Sequence, residues 1–235
     1  MSDSIRKQII SNIKTTLAAV LQTGSYNTNA GSHVYVARRK LDKTEGQSIA
    51  LWPGSEEVSR EYGANARSMN VRIEALAMFG TDEPDEVGED LLADVIEVMT
   101  APVFAMAFTS GSTEIVVGST ITGATSESTA YVTGVSLVSG TWDGGDAAGT
   151  VTLRRKVGDF VGENLDVGAA LNVATTTGAI TATLPIDRVT GSLADDIMYT
   201  GGQVVYPDED ERAVGVKAEF TIGYQTRAGD PYAQK

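Results

Sequence analysis

The 235-residue chain contains no cysteine and only one histidine, His33. The first absence removes disulfides, thiolate nucleophiles and cysteine-based zinc sites. The second leaves little of the usual equipment for acid–base catalysis. Also missing are a glycine loop ending in Lys-Ser or Lys-Thr, a His-Glu-x-x-His helix and a Gly-x-Ser-x-Gly elbow. Two carboxylates could hydrolyse a glycoside, but no pair stands out among the 31 acidic residues. His33 reads as a surface or strand-edge residue. The expectation is a protein that is not an enzyme and has no catalytic, cofactor-binding or metal-binding residues.

Positive charge is scarce as well. Eighteen basic residues against 31 acidic ones give a net charge of −13. Binding to phosphates draws its strength from clustered Lys and Arg that release counterions. The best clusters here, Arg38-Arg39-Lys40 and Arg154-Arg155-Lys156, are three residues long and read as solvated strand ends. Tight nucleic-acid binding is not expected, although an acidic wall lets a DNA strand pass without sticking. No stretch reaches the ~20 apolar residues of a membrane span, and no basic start precedes an apolar run. A soluble chain, with no export signal of its own and no membrane partner, is expected.

What is present changes abruptly along the chain. Residues 101–186 hold 34 Gly, Ser or Thr among 86 residues and only ten charged groups; the other 149 residues carry the remaining 39. This contrast implies a β-rich module set into a loop of a second unit. The expected fold class is α+β: two helices packed on a mostly antiparallel sheet, interrupted by an all-β sandwich or barrel-like insertion domain. The expected domains are 1–101 with 187–235, and 102–186.

Ile5, Ile9, Ile13, Leu17 and Leu21 recur every four residues and predict a first helix, with Ser4 as N-cap and Gly24 as its stop. Strands are predicted from His33 to Arg39, from Gln47 to Trp52 (ended by Pro53-Gly54) and from Met69 to Phe79. A second helix starts near Pro84, with Asp82, Glu83, Asp85 and Glu86 at its positive end and Leu91, Leu92, Val95, Ile96 and Met99 as its stripe. In the glycine-rich segment, short strands are expected at 114–117, 130–138, 150–153, 171–174 and 180–184. Val117–Ile121 echoes Val161–Leu165, as two matching corners of one barrel would. Ile197–Tyr206 and Ala213–Gln225 close the chain as a hairpin whose tip is Pro207–Glu211.

Few residues invite a role. Asp208, Glu209, Asp210 and Glu211 form an acidic tip that guards a sheet edge, with binding a cation or meeting a basic partner as the other readings. Asp143 and Asp146 read as a glycine turn in preference to a calcium loop. Trp52 reads as a core or subunit-contact residue, and Trp142 as either a barrel plug or an exposed anchor.

Taken together, the flanks resemble the tail terminator (tail completion) proteins of long-tailed bacteriophages. The residues that carry this are the opening helix, Val34-Tyr-Val-Ala-Arg-Arg39, Ile49-Ala-Leu-Trp-Pro-Gly54 and the Met69–Phe79 strand. Most specific is the closing run Phe220-Thr-Ile-Gly-Tyr-Gln-Thr-Arg-Ala-Gly-Asp-Pro-Tyr232, where a Tyr-x-Thr strand leads into Gly-Asp-Pro. The string Val135–Leu153 looks like small β modules grafted into phage structural proteins. The resemblance implies a homo-hexameric ring at the head-proximal end of the tail in the virion, assembled in the host cytoplasm. Such a ring docks on the tail-tube protein, stops its polymerisation and offers a face to head–tail connector (neck) proteins. Phage DNA passes through its channel without sequence-specific binding. Asp208–Glu211 and the Arg227, Asp230, Pro231 and Tyr232 tail are expected contact elements. Other readings are a tail-tube subunit, a head–tail joining protein, or a protein whose β insert is a host-surface or glycan-binding adhesion module.

Overall fold

The structure is a computed structural model that describes residues 3–24, 26–38, 41, 46–206 and 212–235. It is a mixed α+β protein with one open sheet and one closed barrel. The chain divides into two compact units, Met1–Thr100 with Pro185–Lys235, and Ala101–Leu184.

The first unit holds helices α1 (Ile5–Leu17), α2 (Pro84–Thr100) and the short α3 (Pro185–Thr190). Its strands are β1 (Val34–Val36), β2 (Ser48–Glu61), β3 (Ala64–Met78), β10 (Asp196–Val205) and β11 (Ala213–Arg227). They form one sheet in the order β1-β2-β3-β11-β10; only the β1–β2 pair is parallel. Alternation decides which face is dry. Met69, Val71, Ile73, Ala75 and Ala77 of β3 are buried beside Val216, Ala218, Phe220, Ile222 and Tyr224 of β11. Against them pack Ile5, Ile9, Ile13 and Leu17 of α1 and Leu91, Val95, Val98 and Met99 of α2. Each such large side chain contributes roughly 1.5–3 kcal/mol on burial. Gly88 lets α2 close on the sheet, since a Cβ there would collide with Val204.

Helix α1 is shorter than its periodicity suggests. Ser4 Oγ caps it by accepting from Lys7 N–H at 3.3 Å. It ends at Leu17, not Leu21. Ala19 N–H donates to Thr16 O at 3.0 Å in a tightened last turn, and the chain returns at Gly31, close against Leu17 O, where Gly31 N–H donates to Val20 O at 2.8 Å. The Leu17 carbonyl, which a helix reaching Leu21 would pair with Leu21 N–H, instead accepts from Val20 N–H at 3.2 Å. Strand β2 likewise does not stop at Pro53-Gly54: it continues to Glu61 after a register shift between Pro53 and Glu56. Pairing with β1 reaches only Leu51, so the missing proline N–H falls where β1 asks for none. The third helix, α3, has no counterpart in the sequence reading.

The second unit holds β4 (Val103–Gly111), β5 (Thr120–Gly123), β6 (Thr129–Ser139), β7 (Ala147–Val157), β8 (Glu163–Val167) and β9 (Ala170–Thr183). They close an antiparallel barrel in the order β4-β7-β6-β5-β8-β9 around Met106, Phe108, Ile121, Val132, Val151, Leu153, Leu165 and Val173. Three strand expectations are corrected. Residues 114–117 form a loop with only Ile115 buried; it crosses one barrel end, since β4 and β5 stand on opposite sides. Strand β4 lies just before it. The two runs expected at 171–174 and 180–184 belong to one strand, β9, which bends at Gly178 (φ +76°) without ending. The echoed segments lead into β5 and β8, which are paired neighbours.

Candidate functional site

The two halves of the first unit meet where β3 begins and β11 ends. Ala64 pairs with Arg227, and the two-residue turn Tyr62-Gly63 tops the β2–β3 hairpin. Ala228 N–H donates to Gly63 O at 3.3 Å, so the chain leaves β11 beside that turn. It then folds back tightly. Asp230 N–H donates to Arg227 O at 3.0 Å, Arg227 N–H to Ala233 O at 2.9 Å, and Tyr232 N–H to Asp230 Oδ1 at 2.9 Å. Gly229 supplies the φ of +79° that the turn requires. Finally Ile5 N–H donates to Pro231 O at 3.0 Å, which fastens the turn to the start of α1. The motif Gly229-Asp230-Pro231 is thus a clamp between a hairpin tip and a helix N-terminus.

The clamp displays aromatic surface. Tyr232 is 56% exposed, and Tyr62 at the neighbouring tip is fully so. The structure therefore brings Arg227, Asp230, Pro231 and Tyr232 together and adds Tyr62, which the sequence reading missed. A Tyr-Gly pair between two alternating strands is the signal that could have found it. Exposed tyrosines carry much contact area with only two side-chain torsions to order, a property of contact hot spots.

Beneath this end a half-buried polar knot holds the strands in register. Tyr224 O–H donates to Glu56 Oε2, Arg67 Nη1 pairs with Glu56 Oε1, and Arg6 Nε lies 3.4 Å from the same carboxylate. Arg67 Nε also donates to Thr226 Oγ1 at 3.0 Å, and Arg6 Nη2 to Gly54 O at 3.0 Å. Burial, and then the hydrogen bond and charge of Glu56, push the Tyr224 phenol well above its ordinary value. Helix α1 and strands β2, β3 and β11 all enter this one knot.

The opposite sheet face carries alternating charge above a groove of about 610 Å³. Trp52 is half-buried on this face and not in the core: its Nε1–H donates to Glu74 Oε2 at 3.0 Å, and the Arg72 guanidinium lies 5.3 Å from its ring centre. Arg72 pairs with Glu74 at 3.0 Å and Lys217 with Glu219 at 2.9 Å. The Lys217 hydrogen bond and charge hold the Glu219 carboxyl below its usual range.

The remaining candidates fall elsewhere. Asp208, Glu209, Asp210 and Glu211 lie outside the described residues, as do Arg39 and Lys40. His33 Nδ1 sits 3.4 Å from Gln47 O. The Arg154-Arg155-Lys156 triplet is no uniform solvated end: Arg154 is buried, Arg155 lies over Tyr131, and Lys156 pairs with Asp159 at 2.6 Å. Asp146 Oδ1 accepts from Thr141 N–H at 2.9 Å, so it braces its own turn. Trp142 is half-buried and stacks on Phe108, with ring centroids 5.2 Å apart and planes 6° from parallel. It plugs one barrel end.

Sequence reasoning also passed over a buried carboxylate in the barrel. Glu163 accepts from Thr125 N–H at 2.7 Å, Ser126 N–H at 2.8 Å, Ser126 O–H at 2.6 Å and Val161 N–H at 3.1 Å. Burial opposes its charge, but these four donors prevail and hold the carboxyl down at about 2. It latches the β5–β6 turn to β8. Among the described residues no group of three or more His, Cys, Asp or Glu could hold a metal. Nor is any described helix long and apolar enough to cross a membrane.

No family model matches the chain. A comparison with curated proteins likewise gives no match.

Proposed function

We propose that the protein is a structural virion component that forms a ring at the head-proximal end of a phage tail tube. In this reading residues 1–100 and 185–235 make the ring-forming domain, interrupted by the barrel as an insertion domain. The ring ends tube polymerisation and presents a new face to the neck proteins, and it works without covalent chemistry. Ring closure needs a heterologous contact repeated around an axis, with two faces that differ.

The observation that supports this most is the clamped Gly229-Asp230-Pro231 turn. It is the part of the chain that most resembles tail terminators, and it is also a backbone-clamped element that bears exposed Tyr232 and is tied through Ala228 to the tip that bears Tyr62. Rigidity before contact lowers the entropic cost of docking. The net charge of −13 suits a channel through which DNA slides without adhering. Removing this protein from the virus that carries it is the functional test. The expected result is tails of unregulated length without joined heads; normal-length tails on complete particles would overturn the reading.

A further inference from the structure

A groove of about 560 Å³ opens at one end of the barrel, between the β4–β5 loop and the β6–β7 turn. Its size falls within the range of small-molecule sites. The loop contributes Glu114 and Thr113, and the turn contributes Thr141, Trp142 and Asp143.

The aromatic wall is fixed in advance. Gly144 N–H donates to Thr141 Oγ1 at 3.1 Å and Gly145 N–H to Trp142 O at 3.0 Å, while Asp146 braces Thr141. Phe108 supports the indole by stacking. Ser110 takes the left-handed φ of +54° at a bulge that sets Gly111 against the ring. A Cβ at Gly111 would collide with Trp142. A ligand meeting this surface would have little left to order.

The polar groups around it are uncommitted. Among the described residues the Trp142 indole N–H has no hydrogen-bond partner, and the carboxylates of Glu114 and Asp143 are in no hydrogen bond or ion pair. All three residues line the groove, and no Lys or Arg does. Two carboxylates repel an anion. A wholly apolar ligand would leave donor and acceptors dry, which costs free energy. A simple cation would serve the carboxylates and ignore the indole donor. Sugar hydroxyls both donate and accept, and a pyranose has an apolar C–H face that matches an indole.

We propose that this groove binds a neutral saccharide. One ring lays its C–H face on Trp142, its hydroxyls donate to Glu114 and Asp143, and one of them accepts from the indole N–H. The site stands on the barrel's own geometry and is independent of ring formation, so either can fail while the other holds.

The test uses the full chain, ¹⁵N-labelled, titrated with lactose, maltose and N,N′-diacetylchitobiose, with choline chloride as a cationic control. Trp142 and Trp52 give two indole resonances, and W142F assigns them. At least one sugar should shift the Trp142 resonance saturably and leave that of Trp52 in place. The double variant E114Q/D143N, whose side chains hold nothing else in the barrel, should keep the spectrum of a folded protein and weaken binding about tenfold or more. Failure of all three sugars, equal binding by the double variant, or preference for choline would each overturn the proposal.

Discussion

Ile5 N–H donates to the carbonyl of Pro231 at 3.0 Å, so the first turn of α1 and the turn that follows β11 form one structural element. Through Ala228 and Gly63 the same element reaches the β2–β3 tip. A surface built from three distant parts of the chain is thus held stiff by backbone bonds, and its side chains remain available for contact.

That division of labour gives the first prediction. Tyr62→Ala with Tyr232→Ala removes exposed side chains only, so unfolding free energy should change by no more than about 0.5 kcal/mol per site. Self-association, read by light scattering, should weaken about tenfold or more if these are contact anchors. Unchanged association would remove this surface from the assembly.

Replacing Glu56 attacks the knot instead. Glu56→Ala leaves Arg67, Arg6 and the Tyr224 hydroxyl without their shared acceptor and should cost about 3 kcal/mol in chemical denaturation. Tyr224→Phe, which leaves both arginines paired, should cost only about 1 kcal/mol. Because the phenol is held above its ordinary value of 10.0, its contribution is complete below that pH and is lost as pH rises beyond it. Titration of Tyr224 absorbance should therefore coincide with alkaline unfolding and not precede it.

Acid should act on the barrel through Glu163. Its carboxyl is held at about 2 in the folded chain against an ordinary value of 4.5. The folded state therefore binds fewer protons than the unfolded one between these values, and stability falls as pH drops through that window. Glu163→Gln should flatten this acid limb and cost roughly 2 kcal/mol at neutral pH. An acid limb of undiminished slope in the variant would show that another carboxylate is responsible.

Gly111 carries the barrel plug. Gly111→Ala puts a methyl group into the Trp142 ring and should destabilise by about 1–3 kcal/mol, with the Trp142 emission shifting toward that of solvated indole. An unshifted spectrum at wild-type stability would mean that the stacked position is not required.

Much of the first unit was legible because its signals are local. Met69 to Ala77 alternate since one face of β3 is dry, Pro84 opens α2, and Ser4 caps α1 through a bond only three residues away. What escaped depends on partners far along the chain. Nothing near Leu17 announces that Gly31 will come back against its carbonyl. Trp142 becomes a plug only because Phe108 lies beneath it. Glu163 reads as one more surface acid until Thr125, Ser126 and Val161 turn their N–H groups toward it. The expected runs at 130–138 and 150–153 fall on β6 and β7, whereas β9 was split in two because the left-handed Gly178 bends the strand where sequence alone suggests a stop. Of the candidate site, the Arg227–Tyr232 run was visible as a motif, whereas its clamp to Ile5 and its neighbour Tyr62 were not.

The mass of the full chain in solution, by light scattering after size exclusion with negative-stain images of the peak, tests the central claim most directly. A closed ring of six 24.7 kDa copies, about 148 kDa, is the expected result. Long stacked tubes would make the protein a tube subunit, and a monomer that stays monomeric at every concentration would contradict the ring.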